Sequence, residues 1–188
     1  MRRSWFLVIC VLMGCTARPG PAVGDGTITP EQLRVSQGYA LLYELVSKQS
    51  GLDKVFVLGG GVSDETRALI LEIDAASEQA AVMIPSFAES DPWIDLRTSG
   101  LPTAEVESRQ SAEASITRRL LFAGKEFELR LLLSQAEATG YCESLARSIA
   151  SMDHDPRRRK WLSEFADSCE RYARRVEGRL AVRKGDPQ

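Results

Sequence analysis

The chain has 188 residues, with 24 basic side chains, 26 acidic side chains and one histidine. This length supports one domain with a hydrophobic core. A single histidine and no Glu-x-x-His motif argue against a di-iron site, and the lack of a Gly-x-Ser-x-Gly motif argues against a serine-hydrolase triad.

The first 15 residues have the three-part layout of a secretory signal. Arg2 and Arg3 form a positively charged head, an apolar run extends from Trp5 to Met13, and the small residues Gly14 and Cys15 follow. The apolar run has about ten residues, whereas crossing a bilayer takes about 20. We therefore expect this segment to be removed rather than to remain as a transmembrane anchor.

The junction Leu12-Met13-Gly14-Cys15 resembles the lipobox of bacterial lipoprotein precursors. In that class the signal is cut before the cysteine, whose sulfur carries a diacylglycerol and whose new amino group is often acylated. The resemblance implies cleavage between Gly14 and Cys15 and anchoring to the membrane through acyl chains on Cys15, since two or more chains hold firmly. Thr16 replaces the aspartate often used for inner-membrane retention, which favours the outer membrane. The alternative is an ordinary signal cut after Ala17.

The segment after the lipobox has the composition of a flexible tether. Residues 16–28 contain two prolines and three glycines, without helical or strand periodicity. We therefore divide the chain into four parts: a signal peptide (1–14), a lipidated cysteine with its tether (15–28), a helical domain (29–182) and a disordered tail (183–188).

Periodic apolar residues predict five helices in the domain. The first begins at Thr29, a capping residue followed by Pro30 and Gln32, and ends at Ser50–Gly51. The others are expected at about 64–89, from Thr103 to an interruption at Ala123–Gly124, at 125–152 and at 157–182. Long helices with short connections predict an all-α fold, an antiparallel bundle of four to five helices. Its resemblance to ferritin-like proteins is one of shape alone, and no metal or other cofactor is expected.

Two connecting segments carry apolar residues. Residues 52–58 are β-like in composition, but a lone strand would leave its backbone unpaired, so we prefer a short helical turn. In the loop from Ser90 to Pro102, we expect packing by Trp93, Ile94, Leu96 and Leu101.

Two cysteines, Cys142 and Cys169, lie in the domain. Measured from the turn near residue 154, both lie roughly 18–22 Å along the hairpin of the last two helices. Disulfides persist outside the cytoplasm. We expect a bridge between them, contributing about 2–4 kcal/mol; the alternative is two buried free thiols.

Positive charge is concentrated near the end of the chain. Residues 157–184 hold 10 basic and 4 acidic side chains, against 12 and 21 in residues 15–156. The last helix opens on four cations, Arg157, Arg158, Arg159 and Lys160. The helix dipole disfavours cations there unless acidic neighbours such as Asp153 and Asp155, or an external anion, offset them. The run is either a solvated face or a contact for an anionic envelope partner; nucleic acid is a poor candidate for an exported protein.

Two classes of function remain open at this point. The first is a non-enzymatic, lipid-anchored module of the cell envelope that binds a partner protein or supports an assembly. The second is a periplasmic bundle that binds a small ligand or acts as an enzyme. The tether, the expected disulfide and the missing catalytic motifs favour the first class. The second requires inward polar groups, seen as a deep pocket with converging carboxylates.

Overall fold

The computed structural model describes residues 28–54, 56 and 61–185. It contains five helices, α1 (Pro30–Gln49), α2 (Asp64–Ser90), α3 (Thr103–Leu121), α4 (Phe127–Met152) and α5 (Pro156–Gly185). Short 3-10 turns occur at Leu52–Lys54 and Gly124–Glu126. Since these residues form helices and no strand within the described ranges, the predicted all-α class is confirmed.

Side-chain caps fix the starts of the first two helices. The backbone N–H of Gln32 donates to Thr29 Oγ1 at 3.1 Å, and that of Thr29 donates to Gln32 Oε1 at 3.0 Å. This reciprocal capping box, with Pro30 in the first helical position, is the arrangement that the sequence predicts. Ser63 caps α2 by accepting from the backbone N–H of Thr66 at 3.3 Å.

The end of α1 is fastened to α2 by a buried carboxylate. Asp74 Oδ1 accepts from the backbone N–H groups of Gly51 at 2.7 Å and of Leu52 at 3.0 Å. The turn at Leu52–Lys54 follows directly, so the start of the 52–58 segment is helical as preferred. Residues 55 and 57–60 lie outside the described part of the chain.

The contacts between helices give an antiparallel arrangement. Tyr39, in the first half of α1, meets Phe87 near the end of α2 with ring centroids 6.1 Å apart, whereas Gln49 at the end of α1 meets Ser77. Helices α4 and α5 form the most extensive pair, and α1 also packs on α4. The bundle therefore consists of α1, α2, α4 and α5, while α3 packs on the outside of α4.

The core has two apolar clusters separated by polar positions. The first surrounds Tyr39 and includes the loop residues Ile94, Trp93 and Leu96, which pack the 90–102 loop down as predicted. The second comprises Leu69, Ile70, Ile73, Phe127, Leu131, Leu132 and Val176. Along α2 and α4 the boundary between the two clusters is occupied by buried polar residues, Ser77, Gln135 and Thr139.

The last helix is longer than the sequence pattern indicates. Helix α5 continues to Gly185, so the predicted tail from 183 begins in the structure as helix; residues 186–188 lie outside the described part. No proline or glycine interrupts the sequence between Leu180 and Gly185, and the helix can therefore propagate to that glycine.

Two helix glycines differ in the space around them, which predicts opposite effects of alanine. A Cβ at Gly38 would lie 2.7 Å from Ile149 Cγ1, where α1 approaches α4, whereas a Cβ at Gly140 would meet nothing within 4 Å. Gly140→Ala should raise the free energy of unfolding by about 0.5–1 kcal/mol. Gly38→Ala should lower it by about 1 kcal/mol, because overpacking outweighs the gain in helix propensity. Urea unfolding measures both, and an equal gain at the two positions would contradict the close approach.

Candidate functional site

A groove of about 580 Å³ lies between α1, α3 and α4. We call it the α1–α3–α4 groove. Its apolar walls are formed by Leu45, Leu52, Ile116, Leu120, Ala138 and Tyr141. Small-molecule sites typically have volumes of about 300–1,000 Å³ and apolar walls with a few polar groups. The α1–α3–α4 groove has this size and character.

Two largely buried glutamines are among the residues that line the α1–α3–α4 groove. Gln49 is 7% exposed and Gln135 is 5% exposed. Gln49 Nε2 and Gln135 Oε1 are shielded from solvent and have no hydrogen-bond partner within the described part of the chain. A buried polar atom without a partner costs roughly 1–3 kcal/mol, so each such atom calls for a physical explanation.

The other amide atom of Gln49 is held in place. Gln49 Oε1 accepts from Ser77 Oγ at 3.2 Å and from the thiol of Cys142 at 3.7 Å. These bonds from α2 and α4 orient the side chain at the end of α1. The Gln49 side chain therefore links the end of α1 to α2 and α4.

Helix α3 covers the α1–α3–α4 groove but is weakly attached to the bundle. None of its residues is buried, and Ile116, which lines the groove, is 39% exposed. Lys48 Nζ contacts Glu113 at 2.6 Å, and the Arg109 guanidinium lies 5.6 Å from the centre of the Tyr141 ring. Exposed ion pairs contribute at most about 1 kcal/mol, so these contacts hold α3 loosely.

Glycines with positive φ lie on both sides of α3. Gly100 has φ +70° and Gly124 has φ +53°, in the left-handed region that other residues rarely adopt. A Cβ at Gly100 would also lie 2.0 Å from Gln37 Nε2. Few buried contacts within the helix and sharp turns at its two ends are typical of a segment that opens locally.

The structure divides the basic run, because one of its four side chains is buried and the other three are exposed. Arg158 is only 6% exposed, and its Nε and Nη2 donate to the two carboxylate oxygens of Asp153 at 2.8 Å each. It also pairs with Asp91 and lies over the Trp93 ring, 5.5 Å from its centre. Because internal partners occupy Arg158, it is unavailable to an external anion. Arg157, Arg159 and Lys160 are exposed.

Tyr39 completes this buried group, which we call the Asp153 network: Tyr39, Asp91, Asp153 and Arg158. Tyr39 Oη donates to Asp153 Oδ2 at 2.6 Å. Burial and the neighbouring Asp153 carboxylate raise the pKa of Tyr39, which keeps the phenol protonated as a donor. Burial alone would raise the pKa of Asp153, but the hydrogen bonds from Arg158 and Tyr39 outweigh it and lower the pKa. The hydrogen bond to Asp153 also raises the pKa of Arg158.

Asp153 and Asp155, which precede α5, offset the positive charge at the start of this helix. This is one of the two possibilities that the sequence analysis left open. Asp155 Oδ1 accepts from the backbone N–H groups of Arg157 at 2.7 Å and of Arg158 at 3.0 Å. These backbone bonds, led by that from Arg158, lower the pKa of Asp155. His154 lies between the two aspartates and is exposed, 3.6 Å from Glu31.

The structure brings Cys142 and Cys169 together but leaves both as buried free thiols, so the predicted disulfide is absent. The Cys142 thiol interacts with Cys169 and donates to Gln49 Oε1. Its hydrogen bond with Cys169 and its burial raise the pKa of Cys142, which favours the neutral thiol over the reactive thiolate. The Cys142 sulfur therefore lies among the buried polar residues beside the α1–α3–α4 groove.

The predicted lipid anchor, Cys15, and the predicted cleavage position at Gly14 lie outside the described residues. Within the described ranges, no helix combines the length and hydropathy needed to cross a bilayer. In the same ranges, no three histidine, cysteine, aspartate or glutamate side chains are grouped so that they could hold a metal ion.

The two groove glutamines were not identified from the sequence. Gln49 lies three residues after Val46 and Gln135 four residues after Leu131, so each continues the apolar stripe of its helix. A polar residue in a buried stripe is the signal that could have identified them.

Comparison of the chain with protein-family models, with curated proteins and with solved structures finds no match in any of the three.

Proposed function

We propose that this chain is a lipid-anchored protein of the bacterial cell envelope whose helical bundle is a non-enzymatic binding module. Cys15 carries the acyl chains, the segment up to residue 28 is the tether, and the bundle binds its ligand in the periplasm. The proposed location in the cell envelope rests on the lipobox sequence at residues 12–15. The binding role rests on the α1–α3–α4 groove.

One observation carries the binding role: the α1–α3–α4 groove has a volume of about 580 Å³ and walls formed largely by apolar side chains. Small-molecule sites typically have volumes and walls of this kind. Helix α3, which covers the groove, buries none of its residues, so few contacts hold it in place. The arrangement therefore favours a small ligand over a purely structural role for the bundle.

The chemistry of the polar groups favours binding over catalysis. Acid–base catalysis uses groups that exchange protons near neutral pH, such as histidine or a carboxylate with a shifted pKa. The buried polar groups of the α1–α3–α4 groove are amides, which donate and accept hydrogen bonds without releasing a proton.

A groove-filling substitution tests the binding role. The mature chain, extracted from bacterial envelopes in a mild detergent, should carry a non-covalent small-molecule adduct in native mass spectrometry. Ala138→Trp places an indole in the α1–α3–α4 groove and should abolish the adduct. Ala75→Trp, at an exposed position on α2, is the matched control and should retain it. A wild-type chain without an adduct, or equal adducts in both variants, would contradict the proposal.

A further inference from the structure

The end of α3 presents apolar side chains to solvent. Leu120 and Ala123 pack against the second apolar cluster, and the two residues between them face away from it. Phe122 is 82% exposed and Leu121 is 45% exposed. Single exposed apolar side chains are common on protein surfaces, but an adjacent pair of large ones indicates a contact surface.

The exposed apolar surface continues from the end of α3 onto α4. Ile116 is 39% exposed and Leu133, on α4, is 47% exposed. Both line a pocket of about 170 Å³ that also includes Arg119. Apolar and cationic side chains therefore lie side by side at this end of α3.

Two cations of this surface are unpaired. Arg118 and Arg119 are exposed, and neither makes a hydrogen bond, ion pair or ring contact within the part of the chain that the structure describes. Arg130 and Glu137 line the same pocket as Arg119, but Arg130 pairs with Glu126 at 2.5 Å instead. We use the name α3 tip for the four exposed residues Arg118, Arg119, Leu121 and Phe122.

The charges along α3 confine a contact with an anionic surface to the α3 tip. Residues 116–130 hold four basic and two acidic side chains, whereas residues 103–115 hold one basic and three acidic side chains. An anionic lipid surface attracts arginine and lysine side chains that come close to it and repels carboxylates. The end of the helix is therefore drawn to such a surface, and its first half is not.

The tether is long enough to let the α3 tip reach the membrane that holds the acyl chains. His154, just after α4, lies 3.6 Å from Glu31 in α1, so the tether joins the bundle beside the end of α4. The α3 tip precedes the start of α4, which has 26 residues and a length of about 39 Å. A chain of the length of residues 15–28 extends to at most about 46 Å. A tilted bundle can therefore contact the membrane at its α3 tip.

We propose that the α3 tip docks on the anionic lipid surface of the membrane in which the chain is anchored. Phe122 and Leu121 enter the interfacial region, where aromatic side chains are favoured, and Arg118 and Arg119 pair with phosphate groups of the lipids. This inference rests on the proposed lipid anchor and deepens it by adding a second membrane contact. The acyl chains alone leave the orientation of the bundle free, whereas the second contact holds α3, the cover of the α1–α3–α4 groove, at the lipid surface.

Quenching by brominated lipids tests the contact. Phe122→Trp adds an indole to the α3 tip, and Val82→Trp adds one at a 75% exposed position on α2 as the matched control. The mature lipidated chain is reconstituted in vesicles of phosphatidylcholine and phosphatidylglycerol with brominated acyl chains, and the emission of Trp93 and Trp161, measured in the parent chain, is subtracted. The indole at position 122 should lose most of its emission, and the indole at position 82 should keep it.

Removing the two arginines tests the role of charge. In the Phe122→Trp chain, Arg118→Gln with Arg119→Gln should lower the ratio of docked to undocked chains roughly fivefold for each arginine, about 30-fold together. Time-resolved emission measures this ratio as quenched and unquenched populations. Arg157→Gln with Arg159→Gln makes the same change of net charge at exposed positions on α5 and should keep the quenching. Vesicles without phosphatidylglycerol should reproduce the loss.

The outcomes separate docking of the tip from the proposed anchor. Quenching at position 122 no greater than at position 82, or quenching that survives removal of both arginines, would overturn the docking. An indole at position 122 that is unquenched in vesicles but shielded from iodide in native envelopes would assign the tip to a partner protein and overturn it too. A chain that floats with the vesicles without quenching keeps the anchor and loses the docking, whereas a chain that does not float contradicts both.

Discussion

Replacing Asp153 with asparagine is expected to lower the free energy of unfolding by about 3–5 kcal/mol, the cost of breaking a buried ion pair from one side. Asp153 is 3% exposed and accepts four hydrogen bonds, two from Arg158, one from Tyr39 and one from the backbone N–H of Asp155. The substitution leaves the Arg158 guanidinium with Asp91 as its one remaining carboxylate partner. Chemical unfolding followed by circular dichroism measures the loss.

The same network predicts how stability changes with pH. The pKa of Asp153 is lowered in the folded state, so its stabilising contribution is fully present above the unfolded-state value of about 3.9. The contribution is lost as the pH falls through the lower, folded-state pKa. In the wild type, stability should therefore decline below about pH 4, and the difference between wild type and Asp153→Asn should narrow there.

An exposed aspartate provides the matched control for Asp153. Asp167 also contacts an arginine, with its carboxylate 3.1 Å from Arg147, but its side chain is 56% exposed. Asp167→Asn should change stability by less than about 1 kcal/mol. A similarly small effect of Asp153→Asn would show that the Asp153 network does not stabilise the bundle. Adding Arg158→Met to Asp153→Asn should recover part of the loss, since it removes a buried cation that has lost one of its two carboxylate partners.

Replacing Cys15 with serine is expected to release the chain from the envelope. A hydroxyl is a far weaker nucleophile than a thiolate, so the diacylglycerol has no attachment point. Without two or more buried acyl chains, each contributing roughly 0.8 kcal/mol per methylene, nothing in the proposed anchor holds the bundle at the membrane. Fractionation should move the protein from the membrane pellet to the soluble fraction, or leave it with its signal uncut.

The second cysteine of the N-terminal segment is the control. Cys10 lies within the apolar run that is expected to be removed. Cys10→Ser should therefore mature and fractionate like the wild type. A Cys15→Ser protein that still matures and pellets with the envelope would remove the basis for the proposed location.

The helices were predictable because their signals are local. The box at Thr29–Gln32, the cap at Ser63 and the turn at Asp153–Pro156 are read from residues within a few positions of each other, and the structure has each of them. The similar heights of Cys142 and Cys169 along the α4–α5 hairpin followed from the helical rise per residue. Whether their sulfurs bond depends on side-chain orientation, which counting residues does not determine.

The candidate site was less predictable because it depends on contacts between distant residues. Gln49 and Gln135 belong to different helices, and only the packing of α1 on α4 brings both to one groove. The sequence pattern predicted a helix from Thr103 correctly but did not indicate that α3 buries none of its residues. Arg158 differs from its basic neighbours because its position in α5 directs it inward, which the run of four cations conceals.

Mass spectrometry of the mature protein's N-terminal peptide, taken from isolated envelopes, tests the anchored state directly. We predict a peptide that begins at Cys15 and carries the added mass of a diacylglycerol, with or without a further acyl chain on its amino group. A peptide with an unmodified Cys15, or one that begins at Arg18 after cleavage behind Ala17, would contradict a lipid-anchored binding module.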